Sequence, residues 1–219
     1  MQYLLGNQSF FFLLFLCMGF FYLPPSWHEL LGVLLLLPFG FHMMRYMGWW
    51  RAMLRAMTLQ SPSGKISTLV NILLLLLMAA VVLSGAMISN HVFKDFIPLS
   101  WRMSVTAHQL HKSLAYILWI VTGLHVGLHL EAWLRRRHRF LGDRLPVLTA
   151  AVFISALGIY SSILHRIGDR LLLKHIFATP ALKAGPLTYL GGLLAIFGLY
   201  MVAGWLLQIC FSVGKKASP

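Results

Sequence analysis

Residues 66–89 read ISTLVNILLLLLMAAVVLSGAMIS, 24 positions without an Asp, Glu, Lys or Arg. A helix needs about 20 apolar residues to cross a hydrocarbon core, so this stretch is long enough to span a bilayer and too uniformly apolar for the surface of a soluble domain. Working outward, other predominantly apolar runs fall at about 3–23, 28–46, 106–131, 146–165 and 187–210. Turn-forming clusters separate them: Pro24-Pro25-Ser26, Ser61-Pro62-Ser63-Gly64, Pro98-Leu99-Ser100, Gly142 to Pro146 and Pro180 to Pro186. Across all 219 residues 59% are hydrophobic and 11% charged, against roughly 25% charged in soluble domains. The expectation is an all-α integral membrane bundle of six transmembrane helices forming one domain over 1–219. Its functional core covers about 27–133, and a helix pair follows at about 146–211. The first run has no basic leader and no small-residue cleavage pattern, so it reads as a retained helix and not a secretory signal.

Eighteen Lys and Arg against five acids give a net charge of +13. In a membrane chain this charge is read by position, because Lys and Arg near helix ends stay on the cytoplasmic side. Arg45, Arg51, Arg55, Lys65, Arg135, Arg136, Arg137, Arg139, Arg144, Lys215 and Lys216 fall on one side, eleven in all. The other side receives seven: Lys94, Arg102, Lys112, Arg166, Arg170, Lys174 and Lys183. The imbalance predicts a multi-pass protein with both termini cytoplasmic and basic residues facing lipid headgroups. No soluble basic face remains for nucleic acid. The last external loop, His165 to Lys183, is expected to lie on the outer surface as an amphipathic segment. Cys17 and Cys210 form no CxxC or CxxCH pattern, which argues against a disulfide scaffold, a zinc ribbon and covalently attached haem.

Ten histidines accompany the five acids, several inside expected spans, where an ionisable group is costly and functional by default. His28 and His42 are 42 − 28 = 14 positions apart, and so are His111 and His125, 125 − 111 = 14. Fourteen residues make about four helical turns, so each pair shares one helix face about 21 Å apart. The second and fourth spans run in the same direction, which sets His28 against His111 near the outer surface and His42 against His125 near the inner one. Two facing neutral imidazoles can clamp a b-type haem without covalent attachment. Zinc would call for four converging ligands. His108, one turn before His111, and His129, one turn after His125, are alternative ligands if the register differs. His129 is otherwise a candidate for a propionate contact or a proton path near a quinone pocket.

Glycine beside a ligand helix leaves room for a macrocycle, and Gly32, Gly40, Gly123 and Gly127 are placed to do this. Simple helix packing explains a GxxxG pair such as Gly123 and Gly127 equally well. Haem propionates need cationic or donor partners. Arg102, Lys112 and Arg166 on the outer side and Arg45 on the inner side are the candidates, although snorkelling to lipid phosphate accounts for each as readily.

The order WHELLG, GFH, VLSGAMIS, HQLHKSLAY, LHVGLHL and GIYSSILHR resembles the bacterial flavinylation-associated cytochrome family, over about Trp27 to the end of the chain. The resemblance implies haem b on His28, His42, His111 and His125 with His129, and an extracytoplasmic flavin-bearing electron carrier as partner. The stretches MMRY and LEAW depart from the family, which often has an Asn after the second-helix His and a Trp after the last one.

These readings converge on electron transfer across the bacterial cytoplasmic membrane through two haems b. The inner donor would be a quinol or a reductase and the outer acceptor a flavoprotein or metal. An oxidoreductase activity towards quinone or ferric iron would depend on a substrate site, for which Arg45 and His129 are the nearest candidates. No nucleotide-binding glycine loop is present. Two other readings remain open: a histidine-lined metal or haem transporter, and a structural membrane anchor of a redox complex.

Overall fold

The computed structural model describes residues 2–55, 60–137, 145–174 and 185–213. Among these residues the regular structure is helical, with no strand. The chain begins with α1 (Gln2–Met18), followed by a 3-10 turn (Phe20–Tyr22). The second span is split into α2 (Pro25–Leu34) and α3 (Leu36–Arg45). Pro38 accounts for the split: it has no N–H to donate to the Leu34 carbonyl four residues back, and its ring crowds that carbonyl. Leu35 nevertheless keeps a right-handed helical backbone, so Pro25–Arg45 still works as one 21-residue span.

Next come α4 (Met47–Arg55), α5 (Pro62–Met87), α6 (Leu99–Arg102), α7 (Val105–Arg137), α8 (Leu145–Leu164), α9 (Ile167–Leu171) and α10 (Pro186–Val213). Proline opens α2, α5 and α10 at the first helical position, where its missing N–H costs nothing. Ser61 caps α5 by accepting from the Gly64 N–H at 3.3 Å.

Five helical segments are long and apolar enough to cross a membrane: Pro25–Arg45, Pro62–Met87, Val105–Leu130, Leu145–Leu164 and Pro186–Phe211. The sixth expected span is α1, whose 17 residues rise about 25 Å, at the short end for a crossing. Its ring contacts place it in the bundle at full depth. Phe10 meets His42 at 5.9 Å, and Phe20, just past the end of α1, meets His28 at 5.9 Å. The first helix therefore runs antiparallel to α2 and α3 between the two histidine levels.

Helix α7 is the axis of the molecule. Over half of its span is buried inside the protein, 56%, against 6% for Pro25–Arg45 and 11% for α8. It packs against α10 along most of its length and against α5 on another side. Trp119 and Tyr116 of α7 meet Tyr189, Leu193 and Ile196 of α10 in a fully buried core. Side chains such as Leu69, Leu76, Val152 and Phe153 point outward. Such a rind would aggregate in water and fits a lipid bilayer.

Two segments depart from expectation. Helix α4 carries Trp49, Trp50 and Arg51 where only an inner loop is expected, a composition suited to the headgroup boundary. The segment after His165 does not simply lie on the outer surface: Ile167 and Arg170 of α9 are buried, and the Ser113 hydroxyl of α7 donates to the Arg170 carbonyl. Arg139, Arg144, Lys183, Lys215, Lys216, His138 and His175, and the side chains of Arg55, Arg135, Arg136 and Arg137, lie outside the described residues.

Candidate functional site

The structure brings His28 and His111 together. Their ring centres are 6.3 Å apart with planes at 81°. The Nδ1 of His111 lies 3.1 Å from the Val81 carbonyl and 3.2 Å from Ser84 Oγ, both on α5. Because a carbonyl only accepts, Nδ1 carries the proton and Nε2 keeps its lone pair. Ser84 itself donates back to the Ala80 carbonyl at 2.7 Å. Gly85 lies directly under the ring, where a Cβ would come within 2.9 Å of Cε1 of His111. Across the gap, the Nδ1 of His28 is buried, and the Cys17 backbone lies within hydrogen-bonding reach of that imidazole.

At the other level, His125 Nδ1 is 2.8 Å from Asn71 Oδ1 of α5. With that amide oxygen as acceptor, Nδ1 is again the protonated nitrogen and Nε2 is left bare. The ring of His129 stands 4.9 Å from that of His125, while the residue itself is exposed. His42 lies within electrostatic reach of His125, and its ring packs between Phe10 at 5.9 Å and Tyr46 at 4.8 Å. The supporting positions on α5, Asn71 and Gly85, are 85 − 71 = 14 apart. The third span thus repeats the histidine spacing in the antiparallel sense.

The glycines divide into two groups. A Cβ on Gly32 or Gly40 would meet nothing within 4 Å; Gly32 lies one turn from His28 on the same helix face, whereas Gly40, two residues from His42, lies on the opposite face from it. Gly123 and Gly127 do something else. They pack against α10, at the Phe197 and Met201 carbonyls respectively, while Gly204 of α10 returns the contact against Leu124. They join helices and line no open space.

The expected cationic partners are scattered. Arg102 donates from Nε to the Ile97 carbonyl at 3.2 Å and from Nη1 to Asn90 Oδ1 at 3.3 Å. Arg166 pairs with Asp169 at 2.6 Å. Lys112 lies within electrostatic reach of Arg170, and Arg45 is 6.0 Å from the Tyr46 ring centre. His108 hydrogen-bonds its own helix through Nδ1, at 2.8 Å from the Ser104 carbonyl.

Sequence reasoning missed Asn71, Ser84, Gly85 and Glu29. It also missed a buried group made by His165, Arg170, Tyr116 and Tyr189. There the Tyr116 and Tyr189 hydroxyls are 3.1 Å apart, the Arg170 guanidinium sits 4.8 Å over the Tyr116 ring, and its Nε donates to the His165 carbonyl at 2.9 Å. A lone Asn in an apolar run and the Ser-Gly step of VLSGAMIS were the available signals for the α5 residues.

Among the described residues no three His, Cys, Asp or Glu side chains converge to hold a metal ion. The span histidines offer imidazoles in pairs. No family model, curated protein or solved structure matches the chain.

Proposed function

We propose that the chain is an electron-transferring membrane cytochrome that holds one b-type haem between His28 and His111 and a second between His42 and His125. The outer ring geometry carries the reading. His28 and His111 would hold the haem iron between their imidazoles, which must then stand farther apart than rings in direct contact. The observed separation is 6.3 Å. The fit extends to the polar atoms: Val81 and Asn71 leave Nε2 of His111 and His125 bare, the form that coordinates iron. Open space at Gly32, one turn after His28 on the same face, suits a planar group beside the outer pair.

Bound haem supplies one-electron redox chemistry that no side chain here provides. The chain's own contribution is to orient the imidazoles, fix the tautomers of His111 and His125 and surround them with apolar helices. With about 21 Å of helix between levels, electrons would pass between an inner quinol or reductase and an outer acceptor. The motif order that resembles the flavinylation-associated cytochromes supports an extracytoplasmic flavoprotein as that acceptor, and the bacterial cytoplasmic membrane as the location. Arg45, within electrostatic reach of His42, and His129, beside His125, are the candidates for any quinone contact.

The test is a reduced-minus-oxidised visible spectrum of the purified protein together with haem counted per polypeptide. Two haems b per chain support both pairs. One haem retains a cytochrome and removes the path across the membrane. A colourless protein after expression with ample haem overturns the reading in favour of a transporter or an anchor.

A further inference from the structure

One acidic side chain in the second span has an unusual set of partners. Glu29, next to His28, receives hydrogen bonds from a single short loop about sixty residues along the chain. Its carboxylate accepts from Ser89 Oγ at 2.7 Å and from the backbone N–H groups of Asn90, His91 and Val92 at 2.9, 3.0 and 2.9 Å. The Nδ1 of His91 lies 3.1 Å away as well. Three successive N–H groups converging on one carboxylate form an anion-binding nest, and each of these bonds is charge-assisted. The loop is secured at other points too. Ser89 is buried, and its Oγ accepts from the Phe93 N–H at 2.9 Å. Arg102 holds Asn90 Oδ1 from the opposite side.

The location of this clasp gives it meaning. The loop begins where α5 ends, at Met87, and α5 is the helix whose Val81, Ser84 and Gly85 support His111. Glu29 sits on α2 beside His28. The Pro25–Arg45 span is hardly buried in the bundle, so packing alone defines its distance from α5 weakly. We propose that Glu29 is the positioning residue of the outer histidine pair: by capturing Ser89–Val92 it ties α2 to the end of α5 and sets His28 opposite His111. This role rests on the reading of those two histidines as a ligand pair.

The experiment compares full-length native protein with Glu29→Gln and Glu29→Asp. Glutamine has nearly the same shape, but its amide donors would face N–H groups that need an acceptor. In Glu29→Gln the outer haem should bind at least about tenfold more weakly, as expected when a group orienting a ligand is lost. Its low-spin spectrum and midpoint potential should shift while the inner haem keeps both. Glu29→Asp retains the carboxylate and should recover part of the outer signal. An unchanged outer affinity, spectrum and potential in Glu29→Gln would overturn the proposal. So would parallel loss of both haems with protein yield, which marks a merely structural contribution.

Hydrogen exchange on haem-free protein reads the clasp separately. The Asn90, His91 and Val92 amides should be protected in the native chain and exchange at least about tenfold faster in Glu29→Gln, and equal rates would remove the clasp. A native chain that takes up no haem overturns the cytochrome reading, and the positioning role with it. Exchange still decides in that case whether Glu29 holds the loop.

Discussion

Gly85 and Asn71 show how much of a histidine's behaviour is set by the helix facing it. A methyl group on Gly85 would press on Cε1 of His111 at 2.9 Å, an overpacking that typically costs about 1–3 kcal/mol if the ring cannot yield. In the proposed cytochrome, Gly85→Ala should therefore reduce haem at the outer level and leave the inner haem intact, as read from haem per chain and a redox titration resolving two potentials. An undisturbed outer haem would mean that His111 is not held in this way. Asn71→Leu makes the complementary prediction. It removes the acceptor for His125 Nδ1–H, and loss of such an orienting partner commonly weakens metal affinity by about 10–100-fold. Competition with a haem-binding acceptor protein should strip the inner haem selectively, and equal loss from both levels would refute the assignment. The histidines were legible in the sequence because an imidazole within an apolar run is costly wherever it points. Gly85 and Asn71 were not, because their meaning depends on the register of α5 against α7, which emerges only when the two helices pack.

Between elements, the glycine pattern separates a helix joint from open space. Gly127→Val would drive side-chain atoms into the Met201 backbone, and the loss of close α7–α10 packing should destabilise the whole bundle by about 1–3 kcal/mol. Thermal unfolding in detergent should fall, and the two haems should fall together with folded protein. In the haem-free chain Gly40→Ala should be neutral to stabilising by up to about 1 kcal/mol, since its Cβ would meet no protein atom within 4 Å. Pro38 makes a further test within one element. Pro38→Ala supplies the missing N–H to the Leu34 carbonyl and removes a helix-interior proline penalty of about 3 kcal/mol. It also changes the alignment of His28 on α2 with His42 on α3. The expected result is a chain that melts higher while losing haem at one level, and unchanged haem at both levels would show that the break has no part in aligning them. The spans were legible from apolar length, and α4 was not. Nine residues with two adjacent tryptophans and an arginine look like a loop until the amphipathic face is traced around the helix.

For the molecule as a whole, the contacts of α1 bear on a question that its length leaves open. Five crossings would put the start of α1 and the end of α10 on opposite sides, and six would put them on the same side. Phe10 lies at the His42 level and Phe20 at the His28 level, while the Tyr189 ring near the start of α10 meets the Tyr22 ring at 5.6 Å. Farther along, Gly204 packs on Leu124, beside His125. Both α1 and α10 therefore traverse the depth between the histidine levels, and the start of the first and the end of the second share the His42 side. The charge distribution predicts that this side is cytoplasmic, because Arg45, Arg51 and Lys65 cluster there. Single cysteines at Arg51 and Lys94, in a chain with Cys17 and Cys210 replaced by serine, test this in intact cells. A membrane-impermeant maleimide should label Lys94→Cys and spare Arg51→Cys. The opposite pattern would invert the molecule, putting the His28–His111 pair and its Glu29 clasp on the cytoplasmic side and moving the proposed flavin-bearing acceptor to the His42–His125 end.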